Sequence, residues 1–170
     1  MTIRPDSTEY APHYAKYVDL VADGDIVQTL DEQLEKIATL FGTITEERGS
    51  YAYAPGKWTI KELFGHVIDA ERVFTYRAMR IARNDQTPLP GFEQDEFVAN
   101  ANFNARSLRS LTEEFTAVRR AGLQLFKHFT EVEWPRRGTA SGKEVTVRAL
   151  AYVIAGHAEY HAQILESRYM

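Results

Sequence analysis

Two histidines stand four residues apart near the end of the sequence, in "GHAEYHAQILE", as His157 and His161. On a helix that spacing puts two imidazoles on one face, one turn apart and within reach of a single ion. The face is longer than the pair: Leu150, Ile154, His157, His161, Ile164 and Leu165 recur at helical steps, which turns both rings toward the core. His66 shares a second apolar stripe with Leu63, Val67, Ala70 and Phe74. Three of the five histidines are therefore expected to face one interior. A buried imidazole needs partners for both ring nitrogens, and a divalent metal supplies a partner to all three at once. Three nitrogen ligands leave a position open for water or substrate, the layout of a catalytic site. Zn, Ni, Fe, Co and Cu all suit imidazole. The competing reading keeps these residues as core histidines bonded to Asp69, tyrosine hydroxyls or backbone carbonyls. His13 and His128 have no partner at ligand spacing and are expected on the surface or in packing.

Neighbouring residues narrow the chemistry. The zincin pattern H-E-x-x-H needs a glutamate directly after the first histidine as general base, and Ala158 occupies that position. Glu159 points round the helix from both histidines and is expected in solvent. The sequence has no cysteine, which excludes disulfides, thiolate ligands and a cysteine nucleophile together. Asp69, one turn after His66, either orients an imidazole through a hydrogen bond or is an exposed or ion-paired side chain. Tyr76, Tyr160 and Arg77 approach the pocket by helical position. Arg77 lies roughly on the face of His66, three turns on. It can hold a substrate carboxylate or pair with a glutamate near the bundle end, and the glutamate is the expected partner.

Four helices must position these residues. Asp25 caps the first, whose stripe is Ile26, Leu30, Leu34, Ile37 and Phe41, with Gln28 placed for a capping box and Gly42 as the stop. The second follows Pro55-Gly56, with Thr59 and Glu62 as a T-x-x-E box, a Trp58–Leu63 staple, and a pattern running to Ile81 before Asn84-Asp85. Trp58 is expected to be structural, locking this start. Ser107 caps the third, with Leu108, Leu111, Phe115, Val118, Leu125 and Phe129 as its apolar face. Thr146 caps the fourth. Between the second and third lies a long, proline-broken stretch, with a short helical piece around Asp95–Asn100; that length suits a crossover better than a tight hairpin. The stretch from Thr130 to Val145 reads as an irregular connection with a turn at Ser141-Gly142. The tyrosine-rich "YAPHYAKYVDLV" is expected to pack across one end. No strand run or internal repeat stands out, so the fold class is all-α, a four-helix bundle in one domain over 1–170.

Composition bounds the partners. The formal net charge is -4 over 170 residues, against a nucleic-acid partner, which wants a Lys/Arg surplus on one face. No apolar run approaches the roughly 20 residues that span a bilayer, and "MTIRPDSTEY" lacks the layout of a signal peptide. No membrane partner and a cytoplasmic location are the expectations.

The stretches "GKWTIKELFGHVIDAERVFTYRAMRIAR", "TPLPGFEQDEF" and "GHAEYHAQIL", in that order, resemble the DinB-like superfamily of DNA-damage-inducible proteins, which also takes in metal-dependent hydrolases and bacillithiol and mycothiol S-transferases. The resemblance covers nearly the whole chain, and the joined W-T and H-x-x-x-H segments are specific as a combination. It implies a bundle in up-down-down-up order and a metal triad of His66, His157 and His161. It also implies a homodimer and, for the characterised branch, a low-molecular-weight thiol cofactor. Three functions are carried forward: a metalloenzyme, either a thiol S-transferase or a hydrolase, with an accessible pocket over the histidines; a non-catalytic metal-binding stress-response or interaction protein with a closed coordination sphere; and a metal-free helical interaction protein. Direct DNA binding is disfavoured by the acidic balance. Zn or Ni is the expected metal, and the substrate is an unspecified small molecule.

Overall fold

The caps read from the sequence start the four long helices of this computed structural model, which describes residues 4–170; residues 1–3, the beginning of the stretch read for a signal peptide, lie outside the described residues. In chain order the helices are α1 (Ala15–Val18), α2 (Ile26–Gly42), α3 (Glu46–Gly49), α4 (Ile60–Ala82), α5 (Gln94–Asn100), α6 (Leu108–Phe126) and α7 (Val147–Ile164). A π-helical turn, Leu165–Tyr169, continues α7. Asp25 accepts from the backbone N–H of Val27 and Gln28 at 2.9 and 3.2 Å. The Gln28 side chain turns to Glu32 rather than back to the cap, so the expected box there is half formed. At α4 the box is complete: Glu62 N–H donates to Thr59 Oγ1 at 3.1 Å and Thr59 N–H to Glu62 Oε2 at 2.8 Å. Ser107 and Thr146 cap α6 and α7 in the same way, each cap satisfying a backbone donor the helix cannot.

The helix directions follow from which residues meet. Gln33 reaches Ala155 and Lys36 reaches Glu159, so α2 and α7 run parallel. Phe64 meets Phe115 and Glu71 meets Arg119, so α4 and α6 run parallel. Lys127 near the end of α6 pairs with Asp31 near the start of α2, and those two are antiparallel. The order is up-down-down-up, a four-helix bundle with the long second connection as its crossover. No helix among the described residues is long and apolar enough to cross a membrane.

The core is two apolar clusters. One holds Phe74, Ala78, Ile81, Leu150 and Ile154; the other holds Ile37, Phe41, Phe64, Phe115 and Ala158. A polar layer lies between them. On one side are His66, His157 and His161; on the other Arg119 makes a paired contact with Glu71 at 2.6 and 2.8 Å and donates to Leu30 O and Gln33 Oε1. Arg119 is 1% exposed. It continues the buried stripe of α6 through Leu111, Phe115, Gly122 and Phe126, while the expected face residues Val118 and Leu125 are only half-buried. The apolar pattern misplaced the end of this face because a charged residue sits in the core with its charge fully partnered.

Three other expectations are corrected. The connection after α6 is not wholly irregular: β1 (Arg137–Ala140) and β2 (Lys143–Thr146) form an antiparallel hairpin. Its turn residues Ser141 and Gly142 both have positive φ, 52° and 71°, as a tight hairpin turn requires. Leu89 from the crossover bridges to Ala140. α6 ends at Phe126, short of the expected Phe129. The tyrosine-rich segment packs on the middle of α7 rather than across an end: a Cβ on Gly156 would lie 1.9 Å from the carbonyl oxygen of Tyr17. Only glycine allows the two backbones to meet there.

Candidate metal centre

α4 and α7 bring the three histidines together as their stripes require. His66 Nε2 is 3.1 Å from His157 Nε2, and His161 Nε2 is 3.2 Å from the same atom. His66, His157 and His161 are 3%, 4% and 7% exposed. Both short contacts cannot be hydrogen bonds. A neutral imidazole nitrogen has one N–H or one in-plane lone pair, so His157 Nε2 satisfies at most one neighbour. A metal about 2.0–2.1 Å from each nitrogen sets neighbouring ligands about 2.8–3.4 Å apart for angles from square to tetrahedral. These two separations fall in that range, all three ligand atoms lie within 4.8 Å of one another, and three imidazole nitrogens suit a divalent transition ion. The group contains no carboxylate ligand among the described residues.

Electrostatics keep the set in its ligand form. Burial pushes His66 down to about 4, against a smaller upward pull from Asp95. Burial, with help from His66 and Lys16, takes His161 down to about 3. His157 is driven well below its ordinary value by burial and by both other histidines. All three imidazoles are neutral at pH 7, with lone pairs free to bind.

Ring orientation comes from aromatic packing rather than from anionic partners. Trp58 lies 4.8 Å from the His66 ring, Tyr17 and Phe74 lie 5.2 and 5.8 Å from His157, and Tyr160 lies 5.3 Å from His161. His161 Nδ1 is buried with no hydrogen-bond partner among the described residues. A ligand histidine usually donates that N–H to a carboxylate or carbonyl; here the walls hold the ring instead.

The flanking residues sort differently from expectation. Asp69 contacts Arg72 at 3.4 Å, so of its two readings the ion pair holds, and it does not orient His66. Glu159 pairs with Lys36 at 2.8 Å, turned from the histidines. Tyr76 is 48% exposed and bonded to Arg80, away from the site. His128 is exposed on Gln124 O. Arg77 has no glutamate partner among the described residues; it donates to Pro90 O at 2.6 Å and Ser141 Oγ at 3.0 Å. Trp58 is more than a structural lock, because it faces a candidate ligand. His13 is exposed, as expected, at the rim of a cavity that His66 and His157 also line; Tyr17 is the wall residue that the sequence does not place. The segment of Tyr17 is too short for a periodic signal, and only its density of tyrosines marks it.

Two cavities reach the histidines. One of about 390 Å³ is lined by His161, Trp58, Tyr53, Tyr160, Lys57 and Tyr169 among others. The other, about 340 Å³, is lined by His66, His157, His13, Tyr14, Phe74 and Arg77 among others. Lys16, Tyr17, Gln94 and Asp95 border both. The crossover helix α5 therefore supplies part of the wall between them.

The sequence profile of the DinB superfamily matches residues 29–165. No curated protein matches the chain. Among solved structures, YfiT from Bacillus subtilis, described as "a probable metal-dependent hydrolase with an unusual four-helix bundle topology", superposes with a TM-score of 0.71 at 13% identity, covering 93% of this chain and 86% of that one. The mycothiol-dependent maleylpyruvate isomerase superposes with a TM-score of 0.66 at 15% identity, covering 81% of this chain and 58% of that one. At these identities the likeness is one of fold.

Proposed function

The chain belongs to the DinB superfamily, and from that premise we propose that His66, His157 and His161 hold one divalent transition metal, zinc or nickel, in an enzyme acting on a small molecule. The observation that carries this is the convergence of three buried, neutral Nε2 atoms, two contacts of which cannot both be hydrogen bonds. A divalent ion in such a set makes a water or a low-molecular-weight thiol acidic enough to lose its proton near neutral pH. The chain's own residues do the rest. Burial keeps the imidazoles unprotonated. Trp58, Tyr17, Phe74 and Tyr160 fix the ring planes and keep water from their flanks.

The two cavities favour a reaction between two molecules, one approaching past His161 and one past His66 and His157. That supports a thiol S-transferase over a hydrolase, which needs a single organic substrate. The relation of fold to a mycothiol-dependent isomerase and to a protein described as a metal-dependent hydrolase supports a reaction in one of these two classes. Open access to the histidines also counts against a closed, non-catalytic metal site. The reading takes the chain as one cytoplasmic unit with no nucleic-acid partner.

Elemental mass spectrometry on protein purified without a histidine tag tests the site. About one equivalent of zinc or nickel is expected, lost in His161→Ala. No bound metal, and none taken up from added zinc or nickel, removes the site and the enzyme reading with it. Thiol consumption with a panel of electrophiles then separates transfer from hydrolysis.

A further inference from the structure

Two arginines are buried in this protein, and they are partnered differently. Arg119, 1% exposed, has Glu71 against it through two hydrogen bonds. Arg77, 2% exposed, is in no ion pair among the described residues. Its Nη2 donates to Pro90 O and Ser141 Oγ, both neutral. That anchors one edge of the guanidinium and leaves Nη1 and Nε without a carbonyl or carboxylate partner. A guanidinium keeps its charge at any working pH, and a buried charge without a counter-ion is costly. The exception invites an occupant.

The surroundings describe that occupant. Arg77 lines the same cavity of about 340 Å³ as His66 and His157. Its Cζ is 5.9 Å from the rings of both Phe74 and Phe92, and Phe74 is 5.8 Å from His157. One aromatic ring thus separates the guanidinium from the candidate ligands. The Tyr14 phenol, raised by burial, is drawn partly back by Arg77 beside it. Of the other charged or titratable side chains on this cavity, Tyr17 is half-buried and His13, Lys16, Glu93 and Asp95 are exposed, and neither carboxylate pairs with Arg77. One guanidinium balances one negative charge, and its planar fork matches a carboxylate. Two acids at the rim oppose a dianion such as phosphate.

We infer that Arg77 seats the carboxylate of the substrate, which is a small organic acid with an aryl or alkyl body lying along Phe74 and its reacting end at the three histidines. The placement of the reacting end rests on the function proposed above; the carboxylate seat does not.

Isothermal titration calorimetry with 3-phenylpropanoate and its neutral amide tests this on the purified protein, on Arg77→Met and on His161→Ala. The wild type is expected to bind the acid on the order of tenfold or more tighter than the amide, the scale of a charged hydrogen bond. Arg77→Met should bind both alike while keeping its metal, and His161→Ala should keep the preference without the metal. Equal or undetectable binding of the two probes by the wild type overturns the inference. So does a preference that survives Arg77→Met, or one that disappears with His161→Ala, since the metal would then hold the carboxylate. Should Arg77→Met fail to fold, a crystal structure of the wild type with 3-phenylpropanoate decides: the carboxylate on Arg77 sustains the seat, and any other position removes it. A wild type without metal that still prefers the acid sinks the metal site and leaves this seat standing.

Discussion

An imidazole buried beside two others resists a proton twice over: it has lost its water, and its new charge would face theirs. His66 and His161 are pushed down to about 4 and about 3, burial being the first cause in each. The unfolded chain takes up these protons near the ordinary histidine value of about 6.5, before the folded protein does. Stability of the metal-free protein is therefore full above pH 6.5 and falls as pH drops toward 4, by up to ~1.4 kcal/mol per pH unit for each imidazole. Urea unfolding in chelator at pH 7.5, 6 and 5 checks this, with His66→Gln/His161→Gln expected to lose most of the slope. A flat profile in the parent protein would mean the imidazoles are not buried. At this scale the sequence was legible where residue type and spacing coincide. Three histidines on two apolar stripes named themselves. Arg119 did not, and Arg77, readable on the face of His66, was expected to pair with a glutamate, because a charged residue in a helical pattern gives no sign of what it will pair with; Arg119 takes Glu71, and Arg77 takes Pro90 O and Ser141 Oγ.

Each helix that carries a candidate ligand has a glycine immediately before it. A Cβ on Gly65 would lie 2.4 Å from the Phe103 ring, and one on Gly156 would lie 1.9 Å from Tyr17 O. Neighbouring segments come in over these gaps, and through the second of them Tyr17 reaches His157. Helix propensity alone favours Gly156→Ala by about 1 kcal/mol. Sterics win, because a backbone carbonyl cannot swing aside as a side chain can. The variant is expected to be less stable by about 1–3 kcal/mol, with Tyr17 displaced from His157. Chemical denaturation and the Tyr17 ring resonances measure both effects, and a more stable variant would show that the segment does not rest on α7. The long helices were readable because caps and stripes agree, as at Thr59 and Glu62. The hairpin was not, since "RGTASGKEVT" alternates weakly and its pairing is made by a turn and by Leu89 from far upstream.

On the scale of the molecule, the up-down-down-up order was foreshadowed by the length of one connection, which must cross the bundle and which carries α5 to the mouth of both cavities. What no local pattern could supply is the division of the core into two apolar clusters with a polar layer between, because that depends on which stripes meet. The same division sets apart the two tryptophans. Trp58 stands 4.8 Å from His66. Trp134 stacks on Phe126 at 6.0 Å, packed against the other cluster. The chain has no others, so it carries a built-in optical gauge and its own reference. An ion with unpaired electrons, such as nickel, arriving at the imidazoles should dim the fluorescence of Trp58 and leave Trp134 bright. Trp58→Phe should abolish the change without abolishing uptake. Occupancy could then be followed in dilute solution, without a dye or a label, by the light the protein itself emits.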